Sequence, residues 1–230
     1  MEIEILHLLD GARKATGTAV VIDVFRAFSL EAYFYQRGAA LILPVQTVQE
    51  ALDLKKAHPE YLLAGERHGA KVEGFDVGNS PSAIMKLDVK GKTVIHTTSA
   101  GVQGLLAASK ADEVISGALV NAAAIARYLQ KQNPAHVSLV CMGLEAKRDT
   151  EEDVLCAQYI KSMLEGCPLA DIDARIEQLR FQEGKKFFDP AQQDRFPQAD
   201  FGLCTKRDCM NFVLQAQQTE KGIQMVKIDA

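Results

Sequence analysis

No stretch of this sequence approaches the roughly 18 consecutive apolar residues of a membrane span, and its opening MEIEILHLLD is acidic, unlike a secretory leader. No membrane association is expected, and the cytoplasm is the expected compartment. Charge of a single sign is missing too: 26 Lys and Arg stand against 30 Asp and Glu, a net charge of −4 with both signs interspersed. That removes the basic signature of a nucleic-acid partner. The five cysteines, at 141, 156, 167, 204 and 209, form no CxxC pair and leave one over in any full pairing. Neither a disulfide framework nor a zinc cage is expected, and the thiols read as reduced core residues. No GxGxxG follows the first strand pattern, which weakens a dinucleotide-dependent oxidoreductase. No Cys-x5-Arg loop is present, which argues against a cysteine-dependent phosphatase. Low-complexity stretches and linkers are absent, so residues 1–230 read as a single unit, with any lobe division falling near residues 110–145.

What is present is alternation. The 230 residues, 47% of them hydrophobic, can bury one substantial core or two compact lobes. For about two thirds of the chain, strand-like apolar runs alternate with helical patterns. Strands are expected at 18–24, 40–45, 61–64, 93–96, 113–116 and 137–141, and helices at 28–37, 48–57, from Ser80, at 100–109 and at 122–130. This predicts an α/β fold, three-layer α/β/α with mainly parallel strands. The tail reads differently. Helices are expected over 150–164, 172–182 and 208–217, with a polar aromatic loop KKFFDPAQQDRFP between the last two and a strand at 223–228.

Three strand ends break into polar residues just before a helix: VIDVFRA at 21–27, GFDVGNSP at 74–81 and HTTSAG at 96–101. In an open parallel sheet the carboxyl ends of strands share one edge, so these segments are expected to converge there. Asp23 ends a buried strand, where a carboxylate needs a helix cap, a partner such as Arg26, or a cation. Arg26 can pair with Asp23 or grip a phosphate with two parallel hydrogen bonds. Asp76 and Asn79 sit among turn-forming glycines, while Ser80 and Pro81 open a helix whose free amides favour an anion. Thr97, Thr98, Ser99 and Gly101 resemble a phosphate-binding loop without its lysine, or an ordinary helix cap. Glu66 and Arg67 follow another strand, with His68 beside them as a weaker candidate for a general base. Asn121 starts a helix, and Glu152 with Asp153 supplies two carboxylates in a first helical turn, where the dipole alone favours acids.

VIDVFRA, GERHGAKVEGFDVGNSP, GKTVIHTTSAG, GALVNAAAIA and VCMG, in this order and spacing from about residue 18 to about residue 160, resemble the 2-phosphosulfolactate phosphatase family. The resemblance implies a magnesium-dependent hydrolase that removes phosphate from a small 2-phosphorylated sulfonated acid. It also implies two related α/β/α lobes with the site between them. Many family members read TTTNGT where this chain has HTTSAG, so Ser99 stands for an amide and Gly101 for a hydroxyl.

On that resemblance, Asp23, Arg26 and Asp76 are the expected catalytic residues. Glu66, Arg67, Asn79, Ser80, Thr97, Thr98, Ser99, Gly101 and Asn121 are expected to bind substrate. Mg2+ is expected on Asp23 with Glu152 or Asp153. The expected partner is a small phosphoester, and a homodimer is left open. The alternative is a non-enzymatic binder of a small phosphorylated or acidic metabolite, needing the helix N-termini and Arg26 but not the carboxylates.

Overall fold

Every residue of Thr18–Ile22 is buried, and the side chains of this strand (β2) alternate between two different coverings. A Cβ built on Gly104 would meet the Val21 side chain, whereas one built on Gly117 would meet Val20 and Ile22 together with Ile125. Because successive strand residues point to opposite faces, helices lie on both sides of the sheet. The helix carrying Gly104 is Gly101–Ala107 (α5), and the one carrying Ile125 is Ala122–Gln132 (α6).

The computed structural model describes residues 1–220 and 222–230. In chain order the remaining elements begin with β1 (Glu2–His7), α1 (Leu8–Ala12), α2 (Ala27–Gln36), β3 (Leu41–Pro44), α3 (Val48–Ala57) and β4 (Leu62–Arg67). Next come β5 (Ala70–Lys71), α4 (Pro81–Ile84), β6 (Thr93–Thr97), β7 (Glu113–Gly117), β8 (His136–Cys141), α7 (Glu151–Leu164) and α8 (Ile172–Gln178). The chain ends with α9 (Gln198–Thr205), β9 (Phe212–Thr219) and β10 (Gly222–Asp229). The strands form one sheet in the order β1-β8-β2-β7-β9-β10-β3-β6-β4-β5.

The predicted α/β architecture is observed, but the carboxyl ends do not share one edge. β1, β8, β2 and β7 are mutually parallel, as are β3, β6 and β4. Between the groups lie three antiparallel pairings, β7 with β9, β9 with β10 and β10 with β3. Three reversals leave the two parallel groups running in opposite senses. Their carboxyl ends nevertheless meet, because the backbone N–H of Gly101, just past β6, donates to Asp23 Oδ2, just past β2, at 3.0 Å. Sheet twist supplies the curl: at roughly 20–25° per strand, the steps separating β2 from β6 accumulate a rotation on the order of 100°. The groups also interleave in sequence, with β3, β4 and β6 inserted between β2 and β7.

Two expectations for the tail are corrected. Residues 208–217 are not a helix, since Phe212–Thr219 is a strand fully paired with β10. Its Leu, Ala and Gln residues have high helical propensity, but tertiary pairing overrides so weak a preference. The aromatic loop is a run of short 3-10 turns at Glu183–Phe188 and Pro190–Gln192, followed by the unforeseen α9. β1 was likewise not expected from the sequence.

Candidate active site

The opposed carboxyl ends enclose a cavity of about 280 Å³. Of the expected site residues, Asp23, Arg26, Glu66, Asn79, Ser99, Glu152 and Asp153 line it. Four of these are carboxylates, and three are fixed by backbone amides from other elements. Asp23 accepts from Ala27 N at 3.0 Å through Oδ1 and from Gly101 N through Oδ2. Glu66 accepts from Ser99 N at 2.7 Å and Gly69 N at 2.6 Å. Asp153 accepts from Val24 N and Gly143 N, both at 2.8 Å. Asp23 therefore stitches the two halves together by holding the turn after β6, while Glu66 holds that same turn from β4 within one half and Asp153 joins the turns after β2 and β8 within the other.

Burial and neighbouring acids raise Asp23, Glu152 and Asp153. Loss of solvent pushes the Asp23 carboxyl up to about 6, opposed by its bond from Ala27 and reinforced by Glu66. Burial lifts Glu152 to about 7, with the Lys186 ammonium working the other way. Asp153 is displaced well upward, first by burial and then by Glu152 and Asp23. Acids crowded in this way gain from a cation among them. The donor set is all oxygen and so suits a hard ion, and the buried Ser99 hydroxyl, on the same cavity, has no protein partner among the described residues. Among the described residues, no three His, Cys, Asp or Glu side chains converge on a common metal position.

Arg26 is 5% exposed, and NH1 donates to the fully buried Asp200 at 2.7 Å. NH2 donates to the Gly69 carbonyl at 3.3 Å, so three of the five guanidinium N–H groups stay uncommitted. The peptide between Phe25 and Arg26 is cis. Asp200 also accepts from Ser80 Oγ and from Ser82 N. Of the roles open to Arg26, pairing with Asp23 is not the one seen: its ion-pair partner is Asp200, across 174 residues of sequence.

The remaining expected residues lie outside the cavity. Asp76 accepts from Leu63 N at 2.7 Å and faces Lys55 at 3.9 Å, fastening the start of β4. Asn121 closes a turn by accepting from Ala118 N. Ser80 caps α4 through Ala83 N, and Thr98, not Ser99, caps α5 through Val102 N. Thr97 accepts from Arg67 and donates to the Gln46 carbonyl. Arg67 and Thr98 border an adjoining surface groove. Gly101 sits behind Asp23, where a Cβ would stand 2.9 Å from Oδ2, so only glycine lets its amide reach that carboxylate. Thr150, on the cavity lining, makes no side-chain cap on α7, and Asp153 is turned toward Val24 and Gly143.

Sequence reasoning missed the opposite wall, built by residues 183–196. Lys186 and Arg195 line the cavity and form no ion pair among the described residues. Both lie over the Phe196 ring, at 5.3 and 5.2 Å from its centroid, and the Arg26 guanidinium lies 5.0 Å from it. Phe187, fully buried, meets Phe25 and Phe196 edge-on and anchors the wall. His68 and Glu145, from opposite halves, bond at 2.5 Å beside the cavity that both line. The FFD and RFP pairs of the aromatic loop were the only available signal.

Known proteins resemble this chain along most of its length. The family model for 2-phosphosulpholactate phosphatase matches residues 4–219. A Bacillus subtilis protein named "Probable 2-phosphosulfolactate phosphatase" is 33% identical over 202 residues, 86% of each chain. Proteins of the same name from Caldicellulosiruptor saccharolyticus and Caldanaerobacter subterraneus are 43% and 44% identical over 145 and 147 residues. Those two alignments span 61% and 63% of this chain and 60% of each relative. With the model matched along nearly its whole length and a relative aligned over most of both chains, the protein belongs to the 2-phosphosulfolactate phosphatase family.

Proposed function

We propose that this protein is a magnesium-dependent phosphoric monoester hydrolase acting on 2-phosphosulfolactate or a closely related 2-phospho acid. The observation that carries the reading is that one cavity joins four carboxylates from the strand ends to Lys186 and Arg195, which form no ion pair among the described residues, while the other two acids on its lining, Glu145 and Glu183, are paired with Lys147 and Arg148. A phosphoester bearing a second strong anion suits both sides. Its phosphoryl group belongs near the acids and their cation, and its sulfonate or carboxylate near the cationic wall.

The residues that would hold Mg2+ are Asp23 with Glu152 or Asp153, and the ion supplies Lewis-acid polarisation of the phosphoryl group when bound. Arg26, neutralised by Asp200 yet with free N–H groups, donates to phosphoryl oxygens. The Ser99 hydroxyl is a second donor. Whichever of Glu152 and Asp153 is not engaged by the ion is a base for the attacking water, and its upward displacement favours proton transfer near neutrality. Lys186 and Arg195 orient the remainder of the substrate through charge that does not change during reaction.

The test is phosphate release from small phosphomonoesters with and without Mg2+, comparing sulfonate, carboxylate and uncharged analogues. Magnesium-dependent release with preference for a second anion is expected. Tight binding of the esters without turnover would replace this reading with the non-enzymatic binder.

A further inference from the structure

Asn79 is the cavity residue whose orientation is set from deepest in the protein. Its Oδ1 lies 3.1 Å from His96 Nε2, and His96 Nδ1 lies 2.8 Å from Glu31 Oε1. His96 on β6 and Glu31 on α2 are both fully buried, and neither lines the cavity. Asn79 Nδ2 has no protein partner among the described residues.

An amide has two nearly isosteric ends, one a donor and one an acceptor, so a neighbour must decide which end faces a ligand. The deciding neighbour here is the His96 ring, whose state follows from Glu31. A carboxylate buried without compensating charge is costly, and Glu31 Oε2 has no hydrogen-bond partner among the described residues. The one ion-pair partner of Glu31 among the described residues is His96. If the compensating proton is on the ring, both ring nitrogens carry hydrogen. If it is on Glu31, the neutral ring accepts at Nδ1 and carries its hydrogen on Nε2. Both arrangements present Nε2–H to Asn79 Oδ1. Only a neutral ring protonated at Nδ1 would remove that donor, and although it would donate to Glu31 Oε1 it would leave Glu31 a buried anion with no compensating charge.

We propose that Glu31 and His96 are positioning residues that lock the Asn79 amide with its NH2 turned into the cavity, as a fixed donor to phosphoryl oxygens. This rests on the phosphomonoester reading of the cavity. Without the lock the amide flips and turns an oxygen toward the anion, converting attraction into repulsion. The sequence carries the parts in three segments, Glu31 in SLEAYFY, Asn79 in GNSP and His96 in HTTSAG, which only the fold joins.

The experiment is a double-mutant cycle on Glu31→Leu and Asn79→Ala, read as kcat, KM and affinity for inorganic phosphate, with each variant's fold checked by thermal melting. Asn79→Ala is expected to lower kcat by roughly 10–100-fold, as for loss of one donor to developing charge, with a smaller change in KM. Glu31→Leu removes the partner at Nδ1 in either arrangement, and is expected to lower kcat and phosphate affinity by less than Asn79→Ala does. In the Asn79→Ala background the Glu31→Leu loss should vanish, because the relay acts only through the amide. Losses that multiply independently would overturn the proposal. Nitrogen-15 NMR of wild-type His96 needs no variant: a protonated Nε2 is expected, and a bare Nε2 overturns the lock. Should the wild type release phosphate from no ester, the hydrolase reading fails by itself. The relay is then judged by the NMR measurement and by the same cycle in inorganic phosphate affinity, where unchanged binding in Asn79→Ala overturns it.

Discussion

The two sides of the cavity are built by different physics. The acidic side is held by the backbone, with Asp23, Glu66 and Asp153 each gripping two amides from turns that follow separate strands. The cationic side is held by side chains, with Lys186, Arg195 and Arg26 arrayed around Phe196 on turns containing no regular helix or strand. Displacing one of these acids means moving the main chain of two strand-end turns, in both halves of the sheet for Asp23, whereas Lys186 and Arg195 need only change rotamer. The contrast teaches that the reacting end of a substrate is gripped rigidly here and its variable end adaptably, as suits a family of related acids.

Arg26–Asp200 is the tie between the two sides, and cutting it should have the largest effect. Asp200→Ala leaves a buried guanidinium without its counter-ion and is expected to cost about 3–5 kcal/mol, measured by urea denaturation. A loss below about 1 kcal/mol would mean that the sides are independent. Next is Asp23→Asn, which should lower kcat by on the order of 10²–10³-fold. Stability should also fall, because an amide cannot accept from both Ala27 N and Gly101 N. Near-normal turnover would remove Asp23 from the chemistry.

A pH series sharpens the comparison. Asp23 at about 6, Glu152 at about 7 and the upward-displaced Asp153 all bind protons more tightly folded than unfolded. Their stabilising effect is present below the ordinary carboxylate range and lost as pH rises through about 6 to 7. The melting temperature without divalent ions should therefore fall between pH 5 and pH 8, by the equivalent of roughly 1–3 kcal/mol. Mg2+ should restore more of it at pH 8 than at pH 5. A stability that rises across this range would contradict the raised values. The smallest effect belongs to the cationic side. Lys186→Met or Arg195→Met should raise KM about tenfold for an ester carrying a second anion, while leaving kcat on a simple phosphomonoester unchanged. Equal effects on both substrates would place these residues on the phosphoryl group instead.

The same contrast explains what the sequence disclosed. Strand–helix alternation and polar strand ends are local signals, and through them Asp23, Glu66, Asn79, Ser99, Glu152 and Asp153 were singled out and lie together on the cavity. Asp76 looked equivalent because it sits in the same turn-rich motif, but its side chain fastens Leu63 on the far side of that turn. Asp200 left no local trace and the cationic wall only its FFD and RFP segments, since an acid inside α9 and two basic residues among aromatics gain meaning only when Arg26 arrives from 174 residues away. Nor does periodicity fix strand sense across a mixed sheet, so facing carboxyl ends were read as a shared edge.

The antiparallel hairpin of β9 and β10 has a consequence for how this protein comes into being. It is the seam between the two parallel groups, pairing with β7 on one side and β3 on the other, and it follows every other strand in the chain. A growing polypeptide can make all the acids and both cations well before it makes the piece that sets one strand group against the other. Until residues 212–229 emerge, the sheet has two unpaired edges and the cavity lacks its closing register. Made after the strands they join, β9 and β10 thus act as a late fastener between those two edges.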